Sequence, residues 1–221
     1  MTRRELLASF AMLPFMGEGR VIRVGHLASD ERARRGAQLG AEEAGRTAEL
    51  LGARFELSTN TDGVVAVVGG AELEHLVVPL LTTRAPEDMS DPGPLRANVF
   101  HVSSTPAERR EALARWGGEG GQAVDWHSSL TRFGAEQLNS RFEMRFGAPM
   151  DSLAWVSWMA VMIAAEMALR ATPLERLRFD GHKGERLWFR PEDHGLRQPL
   201  YVVAGGKVVG EVAPEEGSER T

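Results

Sequence analysis

The sequence predicts an α/β fold: a parallel sheet in a three-layer, Rossmann-like lobe, with a small β-meander at its C-terminal end. Three observations carry this. Short β-branched runs alternate with helical patterns through the first half, the order that builds a parallel sheet with right-handed crossovers. "GVVAVVGG", Gly63 to Gly70, is a continuous apolar run suited to a strand covered on both faces. Near the C-terminus, apolar runs alternate with turn chemistry at His194-Gly195 and Gly205-Gly206.

Taken in order, Val21 to Gly25 is a first strand, and the following segment places Ala33, Ala37, Gly40, Ala41, Ala44, Ala48 and Leu51 at steps of three and four. That is a helix with a narrow small-residue stripe, capped by Ser29 or Asp30 and closed by Gly52. "ARFELS" alternates Phe55 and Leu57 as a second strand, "NTDG" turns, and the apolar run ending at Gly69-Gly70 is a third. A brief helix is expected near Glu72 to Leu76, then a fourth strand in "VVPLLTT", a loop over "APEDMSDPGP", and a fifth strand from Asn98 to Ser103. "STPAERREALARW" is a capped helix with Pro106 at its first position. "GGEGGQ", Gly117 to Gln122, reads as a linker. Beyond it, Leu130, Phe133, Leu138, Phe142 and Phe146 mark one helix, and Leu153 to Leu169 a more apolar one whose Trp155, Met159, Met162, Ala165 and Met167 suit a core face. Leu187 to Phe189, Leu200 to Val203 and Lys207 to Val212 complete the chain as strands.

With 221 residues the chain is long enough for one substantial core, and 43% hydrophobic with 26% charged residues is a globular composition. A net charge of -5 leaves no basic footprint for nucleic acid. The absence of cysteine excludes disulfides, thiolate-held zinc and thiol nucleophiles. At the start, Arg3 and Arg4 precede an apolar run from Leu6 to Met16, the layout of a secretory leader of twin-arginine type, against the alternative of a frayed N-terminal helix. Export to the periplasm is the expectation. The stretch from Leu153 to Leu169 is shorter than the ~20 apolar residues of a membrane span and contains Glu166, so it is read as a core helix.

Local catalytic motifs are missing. The histidines at 26, 75, 101, 127, 182 and 194 include no i,i+4 pair, so no metal is expected, and no G-x-S-x-G, P-loop or G-x-G-x-x-G occurs. No catalytic residue and no cofactor is assigned. In open α/β sheets ligands lie beyond the carboxyl ends of the strands. That rule selects Ser29, Gly70, Thr82 and Thr83, with Arg84, as candidate ligand-binding residues for a small polar or carboxylate-bearing molecule. Capping and tight-turn roles account for the same residues equally well.

The order of these pieces resembles a known family. "VIRVGHLASDERARRGAQLGAEEA" resembles the opening of type I periplasmic solute-binding proteins of ABC transporters, the leucine-binding group. "LRANVFHVSSTPAERREALARW", "WHSSLTRFGAEQLNSRFEMRFGAPMDSLAWVSWMAV" and "FDGHKGERLWFRPEDHGLRQPLYVV" resemble the subgroup found with PQQ-dependent alcohol dehydrogenase systems. Its terminal signature is met by Phe179, Gly181, Lys183, Gly184, Leu187, Phe189, Arg190, Pro191, Leu196, Arg197, Gln198 and Pro199. The resemblance implies a two-lobed fold from which most of lobe two is missing between Trp116 and Trp126. It divides the chain into a leader (1-19), one α/β lobe (20-213) and a disordered tail (214-221). Within the lobe, 20-116 holds the N-terminal βα units, 117-125 replaces lobe two, and 126-213 holds the helices and returning strands.

Since such proteins trap ligand between two closing lobes, one lobe offers half the contacts. The resemblance therefore implies an exported, non-enzymatic accessory or ligand-binding component linked to ABC transport or to PQQ-dependent alcohol oxidation. The partners it implies are an ABC permease or a PQQ-dehydrogenase component. A homodimeric binder of amino acids or amides, in which two chains supply the cleft, and an α/β enzyme are the alternatives.

Overall fold

The computed structural model describes residues 19–70, 76–84 and 97–214. Residues 1–18 of the expected leader, the expected loop over 85–94, residues 72–75 of the expected short helix and residues 215–221 of the expected tail lie outside the described residues.

Five strands form the main sheet: β1 (Arg20–His26), β2 (Ala53–Ser58), β3 (Ala66–Gly69), β4 (Leu80–Thr82) and β5 (Val99–His101). They are all parallel and lie in the order β2-β1-β3-β4-β5. The order reverses between β1 and β3, so the crevice at the carboxyl ends of those two strands is the topological switch point. β3 and β4 are buried at every position, as the continuous apolar run requires.

Helix α1 (Glu31–Leu50) follows β1, with Asp30 rather than Ser29 accepting from the Arg32 amide as N-cap. Its stripe is buried at Ala33, Ala37, Gly40, Ala44 and Ala48. Leu51, counted with the stripe in the sequence, is instead 65% exposed, because it stands past the last helical residue. Helix α2 (Pro106–Trp116) opens with a full capping box, Thr105 Oγ1 accepting from the Glu108 amide and the Glu108 carboxylate from the Thr105 amide. α3 (Ala135–Phe146) and α4 (Ser152–Arg170) complete the helices.

The segment read as a linker contains a strand. β6 (Gln122–Val124) pairs antiparallel with β10 (Leu200–Ala204), which pairs in turn with β11 (Lys207–Val212). Only Gly117 to Gly121 connects, since the glycines stop where Ala123 begins to pack with Ala112, Val202 and Val212. The helix expected to include Leu130 and Phe133 starts later, at Ala135. Phe133 and Gly134 both have positive φ, 55° and 84°, which breaks any helix there.

The returning strands are antiparallel, as their turns imply, and are divided between two small sheets. β7 (Phe179–Asp180), β8 (Arg186–Phe189) and β9 (Leu196–Arg197) form the second of these. A parallel bridge from His101 to Gly195 attaches it to the outer edge of β5.

Among the described residues α4 is long and apolar enough to cross a membrane by length and composition. Here it is the core helix, with Trp155, Met159, Ile163, Ala164 and Met167 at 1% exposure or less. It lies against α1 at very short range, because a Cβ on Gly36 would overlap the Ala154 carbonyl and one on Gly40 would stand 2.9 Å from the Trp158 carbonyl oxygen.

Candidate functional site

β1, β3, β4 and β5 all end at one edge, and beyond it a cleft of about 680 Å³ opens toward α4. Thr83 and Arg84 from the end of β4, Ser103 and Ser104 from the end of β5, Arg109 of α2, and Asp125 to Ser128 after β6 line it. The opposite wall is the start of α4 with Met150, Ser152, Leu153 and Val156, and Arg32 of α1. Polar groups converge on an apolar floor, the composition of a small-molecule site.

The polar wall is organised by Asp125, which is fully buried. Its carboxylate accepts from Arg109 Nη2 at 2.7 Å, the Ser104 amide at 2.9 Å, Ser103 Oγ at 3.3 Å and Gln198 Nε2 at 3.2 Å. Arg109 also donates to Ser104 Oγ at 2.8 Å and to Ser103 Oγ at 3.0 Å. The arginine is thus fixed by three groups and remains partly open to the cleft, its side chain 34% exposed. Across the cleft, Arg32 bridges Asp30 at 2.8 Å and Asp151 at 3.1 Å, joining the entrances of α1 and α4. The Arg32 hydrogen bonds hold the Asp30 carboxyl at about 2, below its usual range.

Trp126 forms part of the floor. It stacks on Trp155 with ring centroids 5.6 Å apart, and its Nε1 donates to Asn139 Oδ1 at 2.9 Å. Ser152 accepts from the Trp126 amide at 3.1 Å and donates to its carbonyl at 3.0 Å, so the segment after β6 is pinned to α4.

The four candidate residues share the carboxyl edge but differ in setting. Thr83 lines the cleft, with its amide donating to the Gly69 carbonyl at 3.0 Å. Ser29 is exposed in the loop after β1, and Gly70 is half-buried at the end of β3, both outside the lining of the cleft. Thr82 is fully buried, its Oγ1 2.8 Å from His101 Nδ1. Burial holds His101 below its ordinary value, against the pull of Asp193. Sequence reasoning missed Ser103, Ser104, Arg109 and Asp125. The signal was a carboxylate directly after an apolar pair in "AVDW", hidden because the preceding glycines marked the segment as a linker.

A second concavity, about 310 Å³, lies between α2 and the C-terminal return. Arg190 crosses it to Glu108 at 2.6 Å and to Asp193 at 2.7 Å, committing its guanidinium to ion pairs that dock the return on α2. Among the described residues, no group of three or more His, Asp or Glu side chains is placed to hold a metal ion.

No family model and no curated protein matches the chain. Solved structures do. An ABC transporter substrate-binding protein from Sphaerobacter thermophilus superposes with a TM-score of 0.62 at 12% identity, covering 89% of this chain and 98% of that one. The leucine-, isoleucine-, valine-, threonine- and alanine-binding protein of Brucella ovis, in its closed conformation, gives 0.64 at 9% identity, covering 90% and 94%. A solute-binding protein of an ABC transporter from R. palustris in complex with benzoate gives 0.62 at 12% identity, covering 89% and 97%. At these identities the likeness is one of fold, and it agrees with the parallel five-stranded sheet flanked by helices. The chain has the α/β fold of a lobe of the ABC-transporter substrate-binding proteins of leucine-binding type.

Proposed function

We propose that this chain is an exported, non-enzymatic, one-lobed relative of the solute-binding proteins. In this reading it serves in the periplasm as an accessory or ligand-binding component of ABC transport or of a PQQ-dependent alcohol oxidation system. The observation that carries the reading is the cleft at the carboxyl edge of the sheet, where Thr83, Arg84, Ser103, Ser104 and Arg109 face Trp126, Met150, Leu153 and Val156. Hydroxyls and guanidinium groups opposite apolar side chains suit a small molecule with a polar or carboxylate end and a compact apolar body. Benzoate, bound by the R. palustris neighbour, has this character. Ser29, Gly70 and Thr82 shape the same edge, as the loop, the backbone approach and the buried support beneath Thr83. The pairing of β6 with β10 supports a single lobe, because the chain passes from α2 straight into a sheet of the same body.

Thermal-shift and calorimetric titration with amino acids, amides, short alcohols and benzoate tests the ligand half of the proposal. Micromolar binding with one ligand per chain, lost in Arg109→Ala and Thr83→Ala, identifies a binding component and rejects a purely accessory role. One ligand per two chains, with a dimer by light scattering, supports the homodimeric binder instead. Catalytic turnover that survives alanine at these positions overturns the non-enzymatic reading.

A further inference from the structure

The chain has 26 basic residues, of which Lys183 and Lys207 are the lysines and the rest arginines. Lys207 lies in the exposed β10–β11 hairpin, whereas Lys183, in the turn between β7 and β8, is 1% exposed. Its Nζ donates to Gln198 Oε1 at 2.7 Å and to the Pro199 carbonyl at 3.0 Å. It also sits 4.2 Å from the centroid of the Trp155 ring and 5.2 Å from that of Tyr201. From the elements packed around it, the charges it meets are Asp125 after β6, Glu211 on β11, Glu185 before β8 and Arg109 on α2.

Two continuous paths lead from this nitrogen to the cleft. Along one, Gln198 accepts from Lys183 and donates to Asp125, which fixes Arg109 and the Ser104 amide in the polar wall. Along the other, Trp155 lies under Lys183 and stacks at 6° on Trp126 of the cleft floor. An ammonium strengthens both paths. It makes the bond to Gln198 charge-assisted, which polarises the amide that donates to Asp125, and it adds cation–π attraction to the indole. A neutral amine keeps two hydrogen bonds and loses both effects. Lysine can make this change under burial and arginine cannot.

We propose that Lys183 is a proton-controlled switch of the cleft: its protonation sets the hydrogen bonding of the polar wall through Gln198 and Asp125, and the environment of Trp126 through Trp155. Burial, the largest influence, lowers Lys183 from 10.5 to about 7, while Asp125, Glu211 and Glu185 pull it upward and Arg109 downward. The two states therefore exchange around neutral pH. The proposal needs no bound solute and stands or falls separately from the function proposed above.

The test is NMR on the whole protein, carbon-13 labelled at lysine and nitrogen-15 labelled throughout. A chain with two lysines gives two ε-carbon signals, and Lys207→Arg assigns them. The Lys183 signal is expected to shift along a single titration curve with its midpoint within about one unit of pH 7. The Ser104 amide and the Trp126 indole N–H are expected to move with the same midpoint, and to stay still over that range in Lys183→Arg. A histidine is separated from Lys183 by His182→Asn, which should leave that midpoint in place. If the arginine variant fails to fold, Gln198→Leu serves in its stead: it cuts the path to Ser104 and leaves the Lys183 and Trp126 titrations. A Lys183 signal unchanged between pH 6 and 9, or one that titrates while Ser104 and Trp126 remain fixed, overturns the proposal.

Discussion

Without its Asp125 carboxylate the cleft wall leaves Arg109 facing Ser103 and Ser104 with no counter-charge, and leaves the Ser104 amide and Gln198 Nε2 each short of an acceptor. Asp125→Ala is expected to lower stability by about 3 kcal/mol in urea denaturation, because one partner is fully buried and the other retains solvent contact. Asp125→Asn keeps an acceptor for the Ser104 amide and should lose roughly half as much. His26, at the end of β1, follows a different logic. It is 6% exposed, and among the described residues its Nε2 has no hydrogen-bond partner. Burial first, and then Arg34, lowers it from 6.5 to about 4. Between those values the unfolded chain binds the proton that the native chain refuses, so stability falls as the pH drops through the window and is intact above it. His26→Gln cannot titrate. The stability of wild type relative to His26→Gln should therefore decline by about 3 kcal/mol from pH 7 to pH 4, measured by denaturation at each pH.

The contact between α1 and α4 depends on residues without side chains. Alanine at Gly36 would place its methyl in the Ala154 carbonyl, so Gly36→Ala is expected to destabilise by about 2–3 kcal/mol. At Gly45, on the same helix, an added methyl meets nothing within 4 Å, and Gly45→Ala should stabilise by about 0.5–1 kcal/mol from helix propensity alone. The opposite signs, read from paired thermal melts, separate packing from propensity. Glu43 adds a directional tie, its carboxylate accepting from Arg141 Nε of α3 at 2.8 Å and from Trp158 Nε1 of α4 at 3.0 Å. The small-residue stripe of α1 was legible in the sequence because the helical period repeats locally. Its partner was not, because α4 lies more than a hundred residues downstream and no local pattern names it. The same limit explains β6: three residues carry too little alternation to read as a strand, and only pairing with β10 makes them one. For the site, the positional rule reached Thr83 and Arg84 on the cleft, whereas Ser104, Arg109, Asp125 and Gln198 converge from separate elements and have no spacing to betray them.

At the scale of the whole molecule the question is whether the C-terminal return is an appendage or part of one cooperative body. The main core contains Ile22 and Val24 of β1, Val68 of β3 and Phe100 of β5 together with Phe179, Leu187, Phe189 and Leu196 of the return. Phe189 is fully buried, meeting Phe100 at 5.0 Å and Phe179 at 6.0 Å between ring centroids. Phe100 in turn stacks on His194 at 4.5 Å, and the His101 amide donates to the His194 carbonyl at 2.9 Å. A body whose first strand shares one core with the β7-β8-β9 sheet of the return leaves that sheet no way to unfold without costing the parallel sheet its packing. For the protein beginning near Gly19, near-ultraviolet circular dichroism of the buried tryptophans and far-ultraviolet circular dichroism of the backbone should follow a single urea transition. Phe189→Ala, a cavity in the return, should then move both transitions together by about 3–4 kcal/mol with the denaturant slope unchanged. If the return were only docked, the same substitution would split the curves, releasing the tryptophan signal early and leaving the backbone transition of the parallel sheet where it stands in the wild type.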